Sequence, residues 1–177
     1  MNVKIFKNKF SKYIELEKKL SKFNWFGVGG NAEILFAPEN EETLSFFLKN
    51  KPQTYKVLVI GAGSNLIIRD KGIKGIVLVT KKLKNISIDD NGIISAQAGA
   101  SDAEVARFAR DYERTGLEFL LGIPGTIGGG IKMNSGAFGS EFKDILIDVT
   151  AINLSGEFRV FSMKELGMEY RAIGISD

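Results

Sequence analysis

Two glycine-rich turns carry most of the residues that could do chemistry in this chain. The first turn is Gly61–Asn65, and the second is the longer loop Gly122–Gly130. Because glycine has no side chain to keep a ligand away, a run of backbone N–H groups can approach an anion, usually a phosphate. Pro124 fixes one backbone angle and gives the second loop a defined shape. A tight structural turn is the alternative for either segment, and it is the more frequent case for an isolated turn such as Gly61–Asn65.

The amino acids that the chain lacks exclude several chemistries. There is no cysteine and no histidine, so disulfides, thiol catalysis and hydrolytic triads built on histidine are absent. The commonest side-chain ligand of metals is also missing, and we predict no metal site. Lysine and arginine number 24 against 21 aspartates and glutamates. The resulting net charge of +3 is too small to predict nucleic-acid binding.

Length and hydropathy limit the size and location of the protein. The 177 residues, 44% of them hydrophobic, suffice for one domain or for two small lobes that share a core. The lysine-rich N-terminus lacks the apolar centre of a signal peptide. No apolar run approaches the roughly 20 residues of a membrane span. We therefore expect a cytoplasmic protein without a membrane segment.

The element before the first turn determines how that turn can be used. Residues 55–60 form an apolar run that predicts a buried strand. The turn has G-x-G spacing, but Leu66 stands where a Rossmann dinucleotide turn needs its third glycine. Two β-branched isoleucines follow and favour extended backbone over a helix. The ordinary Rossmann loop is therefore excluded. Ser64 and Asn65 remain as side chains that bind either a phosphate oxygen or the backbone of the turn.

Helices and strands are predicted on both sides of the two turns. Asn40 predicts the cap of a helix that ends near residue 50. A second helix starts at Ser101 or Asp102 and ends near residue 115, and Thr126 would cap a short third helix. The buried face predicted for the second helix consists of Val105, Phe108, Ala109 and Tyr112. Strands are predicted at 34–36, 55–60, 76–79, 145–152 and 158–161, with a hairpin at 86–97 around the turn at 89–92.

Four motifs, taken together, resemble one family. They are Asn24–Gly30, spelled Asn-x-Phe-x-Val-Gly-Gly, the turn Gly61–Asn65, the second loop continued by Met133–Gly139, and the pair Tyr170-Arg171. In this order they resemble the UDP-N-acetylenolpyruvoylglucosamine reductases, also called UDP-N-acetylmuramate dehydrogenases. The Gly-Ile-Pro-Gly-Thr block is the most specific motif, whereas the G-x-G-S-N turn alone is shared with other flavoproteins of the same superfamily.

The resemblance implies an α+β chain with the FAD-binding fold of the vanillyl-alcohol-oxidase (PCMH) type, in which FAD lies between two lobes. We expect an N-terminal extension at 1–18, a first FAD-binding lobe at 19–80 and a second at 81–177. The FAD diphosphate is expected at the first turn and the remainder of the flavin at the second loop. The implied FAD ligands are Gly61, Ala62, Gly63, Ser64, Asn65, Leu66, Pro124, Gly125, Thr126, Gly128, Gly129 and Ala137.

The resemblance also implies a reaction. The family reduces an enolpyruvyl UDP-sugar to UDP-N-acetylmuramate in peptidoglycan precursor synthesis, with NADPH as hydride donor to the flavin. Arg171 matches the family's catalytic arginine, which would bind the substrate carboxylate and stabilise the negative charge that develops on hydride addition. Tyr170 would line the same substrate site. We expect a monomer that binds neither nucleic acid nor membrane.

The chain departs from the family's pattern after the Tyr-Arg pair. The family's proton-donating serine, its glutamate partner and a substrate-binding lobe lie downstream, whereas the sequence ends at Asp177. Many relatives have a serine where this chain has Ile173, and we do not assign proton donation to Ser176. We therefore expect the FAD-binding part of the enzyme, able to bind FAD but poor at turnover. Two alternatives stay open: another FAD-dependent oxidase or dehydrogenase of this fold that acts on a hydroxyacid or sugar, and a structural or interaction module without a cofactor.

Overall fold

The computed structural model describes residues 3–175, which divide into two compact units. The N-terminal unit contains residues 3–83 together with Ile152–Glu157. The C-terminal unit contains Lys84–Ala151 together with residues 158–175. The sequence predicts the boundary between the two lobes after residue 80. Ser176 lies outside the described residues.

A four-stranded sheet forms the centre of the N-terminal unit. Its strands are β1 (Ile14–Lys19), β2 (Asn31–Phe36), β3 (Val57–Ile60) and β4 (Ile73–Val79), in the order β1-β2-β4-β3. β1 pairs antiparallel with β2, whereas β2, β4 and β3 are parallel. The carboxyl ends of the three parallel strands therefore meet at one edge of the sheet, which is where open α/β sheets bind ligands.

The N-terminal residues, expected as an extension, pack within this unit. The side chains of Phe6, in α1 (Val3–Lys9), and of Phe10, directly after it, are buried with Phe36 and Phe47 in one apolar cluster. The rings of Phe36 and Phe47 stack with their centroids 3.6 Å apart. Burying a phenylalanine contributes about 1.5–3 kcal/mol, and this contribution ties the N-terminal segment to the sheet. The lysines between these aromatics make the segment polar on average, so its sequence did not predict a buried face.

α2 (Glu41–Asn50) confirms the first predicted helix and its cap. The Asn40 side chain accepts a hydrogen bond from the N–H of Thr43 at 2.8 Å, so one of the donors at the start of the helix is satisfied. The carbonyl of Gly156 accepts a 2.7 Å hydrogen bond from the Ser45 hydroxyl. This bond connects residues 152–157 to the helix and explains why they belong to the N-terminal unit.

β3 differs from the predicted buried strand. It lies at the edge of the sheet, where Leu58 is 37% exposed and Val59 is 58% exposed. A short apolar run predicts a strand without showing which neighbours it will have. The position at the edge is decided by β4, which the chain inserts between β2 and β3.

The C-terminal unit begins with the predicted hairpin, formed by β5 (Ile86–Ile88) and β6 (Ile94–Ala96). The next element is α3 (Asp102–Asp111), which Ser101 caps in a capping box. This helix is shorter than predicted, since it ends at Asp111 rather than near residue 115. Val105 and Ala109 are buried as predicted, but Tyr112 is 51% exposed because it lies at the end of the helix.

Short elements complete the C-terminal unit. The third predicted helix is confirmed as α4 (Ile127–Lys132). The predicted strand at 145–152 starts later than expected because α5 occupies residues up to Ile145. No helix in the range 3–175 is long and apolar enough to cross a membrane. The remaining elements are β7 (Gly136–Ala137), β8 (Ser140–Glu141), α5 (Phe142–Ile145), β9 (Asp148–Ile152), β10 (Phe158–Ser162) and α6 (Met163–Leu166).

Candidate functional site

The first glycine-rich turn follows β3 at the carboxyl edge of the parallel strands. Gly63 has a φ angle of 69°, in the left-handed region that favours glycine. A Cβ atom at this position would lie 2.2 Å from the carbonyl oxygen of Phe23. The carbonyl of Gly63 accepts a hydrogen bond from the N–H of Trp25 at 3.1 Å. The turn is therefore held against the preceding segment by a close contact that only glycine permits.

The backbone donors of this turn have no acceptor in the described part of the chain. Among the described residues, the N–H groups of residues 62–66 find no hydrogen-bond acceptor. Ala62, Gly63 and Ser64 are half-buried, and folded proteins pair the great majority of such N–H groups. Consecutive unpaired N–H groups in a turn form a concave site for an anion. The first turn therefore fits the diphosphate that the resemblance assigns to it.

The segment that supports the turn carries a buried acceptor. The amide nitrogen of Asn24 donates to the carbonyls of Leu20 and Val28 at 2.9 Å each. Its Oδ1 atom is buried, with no hydrogen-bond partner in the part of the chain that the structure describes. An amide oxygen accepts from a hydroxyl or amino group and not from a phosphate. The Oδ1 atom of Asn24 is therefore available to a hydrogen-bond donor rather than to the phosphate that fits the turn, a feature that sequence reasoning missed.

The second glycine-rich loop is tied to the start of α3. Ser101 and Thr126 form an antiparallel bridge. The N–H of Ile127 donates to the carbonyl of Ala100 at 2.9 Å. In this bridge geometry, the N–H of Thr126 points away from the partner segment. The loop thus has a fixed backbone, which agrees with the shape predicted from Pro124.

Most glycines of this loop serve packing within the unit. A Cβ at Gly128 would lie 2.9 Å from the Cβ of Ala98, and one at Gly130 would lie 2.3 Å from the ring of Phe142. Gly129 is different. Among residues 3–175, a Cβ at Gly129 would meet only the Thr126 hydroxyl oxygen, at 3.5 Å. α4 is therefore bare at Gly129 and leaves room for a flat group such as a flavin ring.

Two buried polar side chains beside this loop lack partners. Neither carboxylate oxygen of Asp102 has a hydrogen-bond partner in the described chain, and the same holds for the Thr126 hydroxyl. The side chain of Thr126 therefore does not cap α4, although its backbone begins the helix. Burial raises the pKa of Asp102 to about 7, because an unpaired charge is costly in an apolar environment. From the sequence, Asp102 was expected only as a residue at the start of a helix, where carboxylates are normally solvated. Its burial was not predicted.

The Tyr170-Arg171 pair lies at the centre of a short turn, residues 169–172, which we call the Tyr-Arg turn. Glu169 and Ala172 close this turn through two backbone hydrogen bonds of 3.1 and 3.2 Å. Arg171 has a left-handed φ of 54°, which is costly for a residue with a side chain. Tyr170 is 76% exposed. The turn presents both side chains at the surface of the unit.

The structure brings Arg171 to one of the other motifs. Its guanidinium donates to the carbonyls of Asn134 and Gly136, each at 3.2 Å. Gly136 precedes Ala137 in β7, so the predicted catalytic arginine and a predicted flavin ligand lie in neighbouring segments.

Two further predicted FAD ligands differ in exposure: Pro124 is exposed and Leu66 is half-buried. Within the described ranges, no cluster of acidic, cysteine or histidine side chains could hold a metal ion.

The parallel strands that end at one edge, together with the free N–H groups of the first turn, are typical of a domain that binds a phosphate-containing cofactor. Residues 32–162 match the family model described as FAD binding domain. The match covers well over half of the chain, and the chain belongs to this family.

Relatives narrow the comparison further. The chain is 43% identical over 172 residues to UDP-N-acetylenolpyruvoylglucosamine reductase from Rickettsia bellii, covering 97% of this chain and 56% of the relative. The crystal structure of the corresponding reductase from Thermus caldophilus aligns with a TM-score of 0.72 and 31% identity, covering 92% of this chain and 56% of that one. The resemblance predicted from the motifs is confirmed. The chain spans about half the length of the curated relatives it matches.

A more distant structure shows the fold alone. Glucooligosaccharide oxidase from Acremonium strictum aligns with a TM-score of 0.60 at 17% identity, covering 76% of this chain and 30% of the oxidase. Together with the family match, this similarity confirms the predicted α+β fold of the vanillyl-alcohol-oxidase type.

Proposed function

We propose that this chain binds FAD as part of an enzyme that reduces enolpyruvyl UDP-N-acetylglucosamine to UDP-N-acetylmuramate in peptidoglycan precursor synthesis, with NADPH as the reductant. The observation that carries FAD binding is the run of unused N–H groups at residues 62–66. The 43% identity to the Rickettsia bellii reductase supports the choice of substrate.

The two glycine-rich segments would divide the FAD between them. The first turn would hold the diphosphate through the N–H groups of residues 62–66, with Ser64 and Asn65 beside it. The bare face of α4 at Gly129 would pack against a flat part of the cofactor. When bound, FAD would supply the hydride chemistry, while the protein supplies placement and charge. The residues proposed to line the flavin beyond the diphosphate are Pro124, Gly125, Thr126, Gly128, Gly129 and Ala137.

Arg171 would bind the carboxylate of the substrate. A guanidinium carries five N–H groups, so its two bonds to backbone carbonyls leave donors for a bidentate contact with a carboxylate. A fixed positive charge at this place would stabilise the negative charge that develops next to the carboxylate during reduction. Tyr170 would form part of the same wall. We further propose a cytoplasmic monomer with no nucleic-acid or membrane partner.

FAD retention tests the proposal directly. The purified chain is incubated with FAD and desalted, and its visible absorption spectrum is recorded. We expect the flavin bands to stay with the protein, and to shift when enolpyruvyl UDP-N-acetylglucosamine is added. A protein that stays colourless after reconstitution would contradict FAD binding by this chain.

The same sample separates the proposal from the other flavoenzyme. Oxygen uptake with hydroxyacids or sugars, and no spectral response to the UDP-sugar, would favour an oxidase of the same fold. We expect the opposite pattern, in which only the UDP-sugar perturbs the flavin spectrum.

A further inference from the structure

One buried side chain supports the Tyr-Arg turn. Asn134 is fully buried and has a left-handed φ of 38°. Its amide nitrogen donates to the backbone carbonyl of Glu169 at 2.8 Å and to Oε2 of Glu141 at 2.9 Å. Its Oδ1 atom accepts from the N–H of Lys143 at 3.1 Å. Both hydrogens and the oxygen of the amide are therefore engaged.

These bonds hold both ends of the catalytic arginine proposed above. The bond to Glu169 fixes the first residue of the Tyr-Arg turn, and the backbone carbonyl of Asn134 accepts a hydrogen bond from the guanidinium of Arg171. The neighbouring carbonyl of Gly136 accepts a second one. Asn134 therefore contacts both the backbone of the Tyr-Arg turn, through its side chain, and the guanidinium of Arg171, through its own carbonyl.

Arg171 needs such support because its backbone conformation and its extended side chain are both costly to hold in one geometry. Its φ of 54° is unfavourable for a residue with a side chain. The residue is exposed, and the one ring that its guanidinium packs over among the described residues, that of Tyr170 at 5.2 Å, is itself largely exposed. A long arginine side chain loses considerable rotamer freedom when it is held in one geometry. Because contacts in the free protein already restrict the side chain, less conformational entropy is lost when a ligand binds.

The charges around Asn134 favour the same arrangement. Glu141 forms an ion pair of 2.7 Å with Lys143. The hydrogen bond from Lys143, followed by the one from Asn134, lowers the pKa of Glu141. This carboxylate therefore stays ionised, and its negative charge attracts the guanidinium of Arg171.

We propose that Asn134 is a positioning residue for Arg171, which preorganises the guanidinium to receive a carboxylate-bearing ligand. The identity of that ligand rests on the proposed function, whereas the positioning is a property of the chain itself. The motif resemblance assigns roles to Tyr170 and Arg171 and none to Asn134.

Side-chain NMR of the free chain tests the positioning without cofactor or activity. The order parameter of the Arg171 Nε–H group is measured by ¹⁵N relaxation, with the signal assigned by Arg171→Lys. We expect Arg171 to be more ordered than Arg159, whose guanidinium contacts side chains and no backbone carbonyl among the described residues: the exposed Glu165 and the half-buried Phe161. Equal mobility of the two arginines would overturn the proposal. Because both are measured in the wild-type chain, this comparison does not depend on the stability of a variant.

A conservative substitution sharpens the test. Asn134→Asp keeps the size of the side chain and removes both amide donors, and we expect it to make Arg171 mobile. The matched control is Asn153→Asp, because the Asn153 amide group bonds to Ser155 and Glu157 in a different turn. An ordered Arg171 in a folded Asn134→Asp variant would overturn the proposal.

Ligand binding shows whether the two residues act together. In the FAD-loaded chain, we expect Asn134→Asp and Arg171→Met each to weaken binding of the enolpyruvyl UDP-sugar about tenfold, and the double variant to be no weaker than Arg171→Met. Additive losses would show that Asn134 does not act through Arg171. A wild-type chain that does not respond to the UDP-sugar would show that substrate binding needs the downstream lobe expected from the family, and the NMR result would then decide the positioning by itself.

Discussion

The two glycine-rich segments look alike in the sequence and differ in the structure. In the first turn, glycine is required by the backbone, since Gly63 combines a φ of 69° with direct contact to Phe23. In the second loop, Gly128 and Gly130 are required by packing against neighbouring side chains, and neither has a left-handed φ. The first turn leaves a row of donors unused, whereas the second ties its backbone to α3.

This difference shows that glycine content alone does not measure ligand binding. A glycine that permits a close contact inside the protein contributes to stability, and one that leaves open space is available to a ligand. Gly129 is of the second kind, although it lies between two glycines of the first kind. The predictions below use substitutions that separate the two roles.

The largest effect is expected at Gly63. Gly63→Ala adds left-handed strain and a clash with a backbone carbonyl, and we expect a loss of about 3 kcal/mol or more in the free energy of unfolding, measured by urea denaturation. Gly27→Ala is the matched control, because Gly27 has a φ of 66° with nothing within 4 Å of its added Cβ. The control should lose only about 1 kcal/mol. Equal losses in the two variants would show that the clash with the Phe23 carbonyl does not contribute to the loss of stability in Gly63→Ala.

The second prediction concerns the unpaired acid beside the second loop. The pKa of Asp102 is raised to about 7 in the folded chain, so between pH 4 and 7 the folded state binds more protons than the unfolded state. Stability is therefore highest below the unfolded pKa and is lost as the pH rises towards 7. From pH 5 to pH 8 we expect the free energy of unfolding to fall by about 2–3 kcal/mol.

Asp102→Asn should abolish most of this dependence, whereas Asp90→Asn, at an exposed position of the hairpin turn, should preserve it. The measurement is the midpoint of urea unfolding at each pH. A wild-type chain whose stability is flat across this range would mean that Asp102 has a partner in solution.

The third prediction tests the bare face of α4. Gly129→Ala fills open space in a helix, and we expect unfolding stability to rise by up to about 1 kcal/mol. If the flavin packs on this face, the same change should weaken FAD binding about tenfold, measured by quenching of flavin fluorescence. Gly128→Ala is the contrasting variant, since its Cβ would collide with Ala98 and should reduce stability. Unchanged FAD affinity in Gly129→Ala would place the cofactor elsewhere.

The smallest effect is expected at Ser64. Ser64→Ala removes one hydroxyl from the first turn and leaves its backbone donors in place. We expect a change in stability within about 0.5 kcal/mol and a loss of FAD affinity of about fivefold. The exposed Ser95 on β6 provides a control, because Ser95→Ala should change neither quantity. A hundredfold loss would mean that the side chain, rather than the backbone, dominates the site.

Local features were predictable because their causes are local. The caps at Asn40 and Ser101 depend on residues within one helical turn. α3 ends early through a local device at an unusual residue: Glu113 has a left-handed φ of 56°, and the N–H of Arg114 donates to the carbonyl of Ala109, an ending that glycine usually provides. The edge position of β3 was not predictable, because it depends on which other strand packs beside it. The same is true of the N-terminal aromatics, whose burial required a sheet to pack against.

The sequence by itself determined the chemical inventory. The absence of cysteine and histidine, the two glycine-rich segments, the Tyr-Arg pair and the order of the motifs follow from residue identity and are enough to indicate the family. The tertiary structure decided which of these groups are free to act. Within residues 3–175, it left the donors of residues 62–66 unpaired and buried the Asp102 carboxylate without a partner, and it connected Asn134 to a turn 35 residues further along the chain. Each of these facts depends on atoms that are distant in sequence and meet only when the chain folds.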